Sequence, residues 1–484
     1  MNKTMNNRML NPWPFPIRGA GARNLVSFWA ALAVTAASAA TVKRPNVLVI
    51  QPDQHRGTIM GCMGDAQAKT PNLDRLAREG ILFRHCASSS PVCCPFRATM
   101  QTGLYPHRHG VLSNDKYRLN SKDPTFAEMF EQAGYKTGYI GKWHLDAGLP
   151  EKEGGKGVTA KGVGGFVPPE RRRGYQEWNG YEKAHEYFEV WKYNVRGEKE
   201  RVTGYDWEPT WHTDMALDFA KRHTAAGEPW LYYIAYGPPH VPEQCPQRFL
   251  DLFPPEKFEL PPDVQANFKG ADEKTIRAAF QMYYALVTAV DVEIGRLLDG
   301  LKRIGADENT IILYTSDHGD YLGSHAKGAG SRKDLRGKGV PYANAFRIPL
   351  IVRWPAQIRG GQVCEALVSS ADLAPTLLDL ASAPPIPGAQ GLSMAPWCLT
   401  GDGPRHEAIW IGLGKWRAAW DGRFVYSPEP YKILYDQQTD PHEMNNLFTA
   451  PESQAQKKRL HELLVKVAQV VQDPMVGELR RMEK

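Results

Sequence analysis

Little in this sequence is extreme, and its scarcities narrow the field first. Its 484 residues contain no internal repeat, low-complexity tract, zinc-finger spacing or zipper pattern, which sets aside repeat architectures and the common nucleic-acid-binding modules. Cysteine is sparse. The seven, at 62, 86, 93, 94, 245, 364 and 398, are unevenly spaced and match neither a disulfide framework nor a zinc site. A strong charge of either sign is missing too. The formal net charge of +6 is mild and spread out, which suits an anionic substrate and argues against nucleic acid as a partner. Long apolar runs are also lacking: the stretch 25–36 is too short and too rich in Ala for a membrane span, so no stable membrane insertion is expected.

What is there begins with a targeting pattern. Arg18 and Arg23 precede that apolar stretch, and Ala37-Ser38-Ala39 has the form of a small-residue cleavage site. Residues 1–40 are therefore expected to be a signal peptide and the mature protein to be exported, periplasmic or secreted. From Arg44-Pro45-Asn46 onward, short β-rich runs at 47–50, 137–140, 230–236, 310–315 and 348–352 alternate with helical patterns. The helices are expected after Thr70-Pro71 and at 124–132, 215–223, 276–304 and 373–381. Such alternation predicts an α/β fold with a large, mostly parallel sheet flanked by helices, here assigned to a catalytic domain over 44–385. Short alternating strands at 408–411, 416–420, 423–426 and 431–435, followed by an amphipathic helix at 451–472, predict a smaller C-terminal subdomain over 386–484 built as an antiparallel sheet plus a helix.

Four of the predicted strands release ionisable or metal-binding residues at their carboxyl ends: Asp53-Gln54, Lys142-Trp143-His144, Pro238-Pro239-His240 and Asp317-His318. In open α/β sheets that edge is where ligands bind, and four coincidences point to one site. Two carboxylates, an amide oxygen and an imidazole suit a divalent cation. The oxygen majority favours Ca²⁺, while His318 leaves Mn²⁺ or Mg²⁺ open. A fifth element is the segment Cys93-Cys94-Pro95-Phe96-Arg97 through Thr102-Gly103. Pro95 is expected to begin a helix, which sets Cys93 at an N-terminus whose free N–H groups favour an anionic oxygen, with Arg97 close enough for a charge-assisted bond.

That segment resembles the signature of the formylglycine-dependent (type I) sulfatases of the alkaline-phosphatase-like superfamily, Cys-x-Pro-x-Arg followed by Thr-Gly, with Phe96 where the family usually has Ser. Further blocks resemble the same family in order and spacing: Pro45-Asn46-Val47 through Asp53-Gln54, Thr70-Pro71-Asn72-Leu73-Asp74, Gly141-Lys142-Trp143-His144, Pro239-His240-Val241-Pro242, Thr315-Ser316-Asp317-His318-Gly319, Lys338 with Tyr342 and Arg347, and Leu434-Tyr435-Asp436 through Asn446-Leu447. The family's acidic pair after the tyrosine is replaced by Ala343-Asn344, and Gln54 and His318 stand where Asp and Asn are common.

The resemblance implies an alkaline-phosphatase-like fold and a sulfatase hydrolysing sulfate monoesters, with a sulfated carbohydrate as the expected substrate. It implies that Cys93 is oxidised to formylglycine (3-oxoalanine) by a maturation enzyme, and that the resulting side chain joins Asp53, Gln54, Asp317 and His318 around one metal ion. A hydroxyl of the hydrated aldehyde then attacks sulfur. Arg97, Lys142 and Lys338 stabilise the sulfuryl oxygens, His240 protonates the leaving oxygen, and His144 helps deprotonate the second hydroxyl. Two alternatives remain: a phosphodiesterase or phosphonate monoester hydrolase of the same superfamily, and a non-catalytic carbohydrate-binding relative. His55, His107 and His109 are expected only as candidate substrate contacts. The run Glu170-Arg171-Arg172-Arg173 is read as a solvated loop or a holder of anionic groups.

Overall fold

Three short runs of apolar residues, each buried along its whole length, make the centre of the fold: β1 (Asn46–Ile50), β7 (Trp230–Ala235) and β8 (Thr310–Thr315). Burial on both faces of the sheet is why they read as continuous hydrophobic stretches rather than as alternating ones. The computed structural model describes residues 43–146, 165–183, 186–242, 244–267, 272–325 and 335–482, and the expected leader at 1–40 lies outside them. Numbered in chain order, the other strands before the C-terminal region are β2 (Ile81–Ala87), β3 (Lys136–Lys142), β4 (Glu177–Tyr181), β5 (Trp191–Tyr193), β6 (Lys199–Arg201), β9 (Arg347–Ile348), β10 (Leu350–Arg353) and β11 (Gln362–Ser369).

The nine-stranded sheet runs β11-β2-β10-β8-β1-β7-β3-β4, with β9 pairing β2. Every neighbouring pair is parallel except those of β10 with β2 and β8, and of β9 with β2. In β1, Val47 and Val49 face one layer and Leu48 and Ile50 the other, as a pleat of period two requires. The first layer holds the helices Cys93–Thr102, Phe126–Gln132 and Leu373–Leu380; the second holds Pro71–Arg78, Glu208–Ala226 and Glu273–Arg303.

The strands and helices read from the sequence are present, with bounds shifted by a few residues. Strands β4, β5 and β6 lie outside the predicted runs, and so do two strands at one edge of the large sheet, β2 and β11. Both break the apolar pattern: Arg84 and Glu365 turn outward and pair at 3.1 Å, and the register between the two strands shifts between Cys364 and Leu367. The helix carrying the signature starts at Cys93 rather than at Pro95 and is buried throughout. Four antiparallel strands, β12 (Ile409–Leu413), β13 (Trp416–Trp420), β14 (Phe424–Ser427) and β15 (Ile433–Asp436), follow as a meander. One face packs on Ala87, Phe346 and Leu367, and the other takes Leu460, Leu464 and Ala468 of the helix Gln454–Val470. Among the described residues, no helix is long and apolar enough to cross a membrane.

Candidate active site

The carboxyl ends of β1, β3, β7 and β8 deliver their polar residues to one edge of the sheet, and the loop after β2 brings the signature helix to the same place. Cys93 is at its centre. Its sulfur lies 3.3 Å from His318 Nε2, 3.3 Å from Lys338 Nζ, 3.5 Å from Lys142 Nζ and 3.9 Å from Asp53 Oδ1. Lys142 donates to Asp53 Oδ2 at 2.6 Å, and Arg97 bridges Asp53 Oδ2 and Asp317 Oδ2 at 3.2 Å each. All of these side chains except Lys338 are buried. The structure thus gathers Cys93, Arg97, Asp53, Asp317, His318, Lys142 and Lys338 in one place.

The charges explain the reactivity such a centre can have. Burial and the Asp53 carboxylate push the Cys93 thiol up, but Lys142, Lys338 and His318 outweigh them and hold it well below the ordinary range. Burial likewise works against ionised Asp53, yet Lys142, His240, Lys338 and Arg97 keep its carboxyl well below the usual carboxylate range. Asp317 moves the other way, raised by burial and by the proximity of Asp53. Two carboxylates this close under common burial form a site that a further cation would stabilise.

The donor set fits one. Single ligand atoms of Asp53, Cys93, Asp317 and His318 lie within 4.8 Å of one another. His318 Nδ1 donates to the Gly319 carbonyl at 2.8 Å, which fixes the tautomer and leaves Nε2 as the acceptor facing the group. Gln54 stands at the margin in a left-handed conformation, φ 69°. Its Oε1 accepts from Lys338 at 3.0 Å and its Nε2 donates to Asp320 at 2.6 Å.

Asp320 escaped the sequence reading. It is buried beside Gln54, accepts from the amides of Leu322 and Gly337, and is paired with Arg336, which reaches on to the Pro239 carbonyl at 2.9 Å. The only sequence hint was its position three residues beyond Asp317. His144 and His240 flank the centre. His144 is buried, with Nε2 2.9 Å from Asp115 Oδ1; His240 is partly exposed, its Nδ1 on the Val241 carbonyl and its own carbonyl accepting from Tyr187 Oη at 2.8 Å.

The three histidines that were only candidate substrate contacts bond within the protein. His55 bonds Tyr314 Oη and the Ile59 carbonyl, His109 bonds Thr99 and the Val111 amide, and His107 bonds the Val471 carbonyl. The arginine run is internal wiring: Arg171 pairs with Asp146, Arg173 with Glu128, and Arg172 stacks over Phe166 and Trp178.

This arrangement of fold and site is that of a sulfatase. The sequence model of the Sulfatase family matches residues 45–383, and the chain belongs to that family. An ulvan-active sulfatase of Formosa agariphila is 31% identical over 87% of this chain and 81% of its own length. An N-acetylglucosamine-6-O-sulfatase of Bacteroides thetaiotaomicron is 28% identical over 87% of this chain and 86% of its own. The solved yidJ structure from Bacteroides fragilis superposes with a TM-score of 0.79 at 28% identity, covering 90% of this chain and 98% of that one. The protein is a sulfuric ester hydrolase with relatives that act on carbohydrates.

Proposed function

We propose that this sulfatase hydrolyses sulfate monoesters of a carbohydrate, with Cys93, matured to formylglycine, as the nucleophile beside one divalent cation. The observation that carries the reading is the convergence of His318, Lys338 and Lys142 on the Cys93 sulfur within 3.5 Å, next to two carboxylates. Asp53, Asp317 and His318, with residue 93 and Gln54 at the margin, would hold the cation. It would supply positive charge that acidifies a hydroxyl and polarises a sulfuryl oxygen, and the oxygen-rich set favours Ca²⁺. Formylglycine would supply a hydrated aldehyde, whose second hydroxyl makes a separate water attack on sulfur unnecessary.

The chain's own residues divide the remaining work. Arg97 locks the two carboxylates together through one guanidinium. Lys142 and Lys338 flank residue 93 and present ammonium donors to the anionic head of the substrate, where charge builds up in the transition state. His240, at the exposed margin, gives a proton to the departing sugar oxygen. His144 accepts a proton on the opposite side. The sugar-specific name of the N-acetylglucosamine-6-O-sulfatase relative supports a sulfated carbohydrate as substrate. The same reading takes residues 1–40 as an export leader, 44–385 as the catalytic domain and 386–484 as its C-terminal subdomain, and it requires a maturation enzyme in the host.

Side-by-side hydrolysis of an aryl sulfate and an aryl phosphate by the matured enzyme tests the reading. The sulfate ester is expected to turn over faster. Preference for the phosphate ester would favour the phosphodiesterase or phosphonate hydrolase alternative, and inertness toward both would favour a binding protein.

A further inference from the structure

Beside the nucleophile, the chain adopts backbone conformations that ordinary residues avoid. Asp115 (φ 61°) and His144 (φ 57°) both lie in the left-handed region, which costs of order 1 kcal/mol for each side-chain-bearing residue. Two such residues meet here. His144 Nε2 and Asp115 Oδ1 are 2.9 Å apart, and the His144 amide donates to the Glu182 carbonyl at 2.9 Å. The neighbouring Asn114 accepts from the Cys94 amide at 2.9 Å, so the turn carrying Asp115 is tied to the first residues of the nucleophile's own helix. Lys183 Nζ donates to both oxygens of Asp115, at 2.9 and 3.0 Å, and holds the carboxylate from its outer side.

The other ring nitrogen of His144 has the complementary property. Among the described residues Nδ1 is buried without a hydrogen-bond partner, and the ring interacts with Cys93. A neutral imidazole carries one N–H. A carboxylate accepting at Nε2 keeps that hydrogen there and leaves the Nδ1 lone pair for the site.

We propose that Asp115 is a positioning residue of this enzyme: by accepting the Nε2 hydrogen of His144 it fixes the ring's tautomer and turns Nδ1 toward residue 93. The proposal rests on the sulfatase reading only for its kinetic consequence, since the contact itself is independent of it. Asp115 is half-exposed and touches the histidine rather than the reacting atoms. It adds to the site a residue that no motif in the sequence marks. When the ring takes up a proton at Nδ1, the same carboxylate faces an imidazolium and stabilises it by a charge-assisted bond.

Two readouts test this in Asp115→Ala and Asp115→Asn. The first is the ring ¹⁵N shifts of His144 in the unmatured protein, at a pH where the ring is neutral, assigned with His144→Gln. The native protein is expected to show protonated Nε2 and bare Nδ1. Asp115→Ala is expected to show a tautomer mixture, and Asp115→Asn, whose Oδ1 would accept from Lys183 and whose NH₂ would then face Nε2, a shift of the ring proton to Nδ1. The second is aryl sulfate turnover by matured enzyme of verified folding. Asp115→Ala should lower kcat by about 10- to 100-fold with KM held within about 3-fold, and Asp115→Asn, which favours the wrong tautomer, should lower it at least as much. Unchanged ring shifts, or a rise in KM at constant kcat, would overturn the proposal in favour of a surface or substrate contact. If the native enzyme turns over no aryl sulfate, the sulfatase reading fails, while the ring shifts still decide the role of Asp115.

Discussion

Two buried ion clusters, one in each sheet, differ in a way that separates a structural group from a catalytic one. In the C-terminal sheet, Arg417 is paired with Asp473, whose oxygens also accept from Trp410 Nε1 at 2.8 Å and the Met475 amide at 2.9 Å, while Arg417 Nη1 donates to two carbonyls. One charge meets one charge, and the remaining bonding capacity is taken up by neutral neighbours. At the edge of the large sheet, Arg97, Lys142 and Lys338 crowd two carboxylates and a thiol. There, one oxygen of Asp53, a ring nitrogen of His318 and the Cys93 sulfur are aimed at one another instead of at neutral partners. A closed pair stabilises a fold. An open cluster stores electrostatic free energy that a ligand releases, which is why perturbed groups gather at functional sites.

Substitutions should break this contrast in predictable order. Replacing Cys93 by Ala removes the proposed nucleophile, and the rate of aryl sulfate hydrolysis should fall by about 10⁴-fold or more with little change in thermal stability. Asp473→Ala should do the reverse. It leaves the Arg417 charge buried and uncompensated, so denaturant unfolding should report a loss of about 3–5 kcal/mol while kcat stays within about 2-fold. Lys338→Ala, which on the proposed mechanism takes one donor from the sulfuryl oxygens, should lower kcat by about 10²-fold and raise the stability slightly or leave it unchanged.

The smallest effect tests a third kind of buried ionisable group, one whose ionisable neighbour, His212 Nε2 at 3.8 Å, is itself held neutral by burial. Glu208 is buried beside Tyr181 and His212, and burial alone raises its carboxyl to about 8 while pushing His212 down to about 3. Because the folded-state value lies above that of the unfolded chain, the protein holds this proton to higher pH than the unfolded chain does. Native stability from this group is complete below about pH 4.5 and is lost as pH rises to about 8. Glu208→Gln lacks that loss. Its stability relative to the native protein should therefore increase between pH 5 and pH 8, by roughly 1–3 kcal/mol in chemical denaturation.

Much of this was legible in the sequence because the carboxyl ends of parallel strands are marked by where apolar runs stop. Asp53, Lys142, His144, His240 and Asp317 all follow such a stop, and the signature around Cys93 is long enough to read directly. Asp115, Asp320 and Arg336 were not legible. They act through contacts across 29, 266 and 97 residues of chain, with His144, Gln54 and the Pro239 carbonyl, and only the folded sheet makes those neighbours. Strands β2 and β11 were hidden for a related reason: an exposed Arg84–Glu365 pair interrupts the apolar pattern of strands that are otherwise half core. The histidines show the opposite failure. His55, His107 and His109 are conspicuous in the sequence, yet His55 and His109 spend both ring nitrogens on internal partners and His107 spends Nε2 on the Val471 carbonyl.

The central claim is that Cys93 is the residue that becomes the nucleophile. Mass spectrometry of the tryptic peptide 85–97, from protein made with a competent maturation enzyme, tests it most directly. The account predicts that Cys93, and not Cys94, has lost H₂S and gained one oxygen. Two intact thiols under those conditions would contradict it.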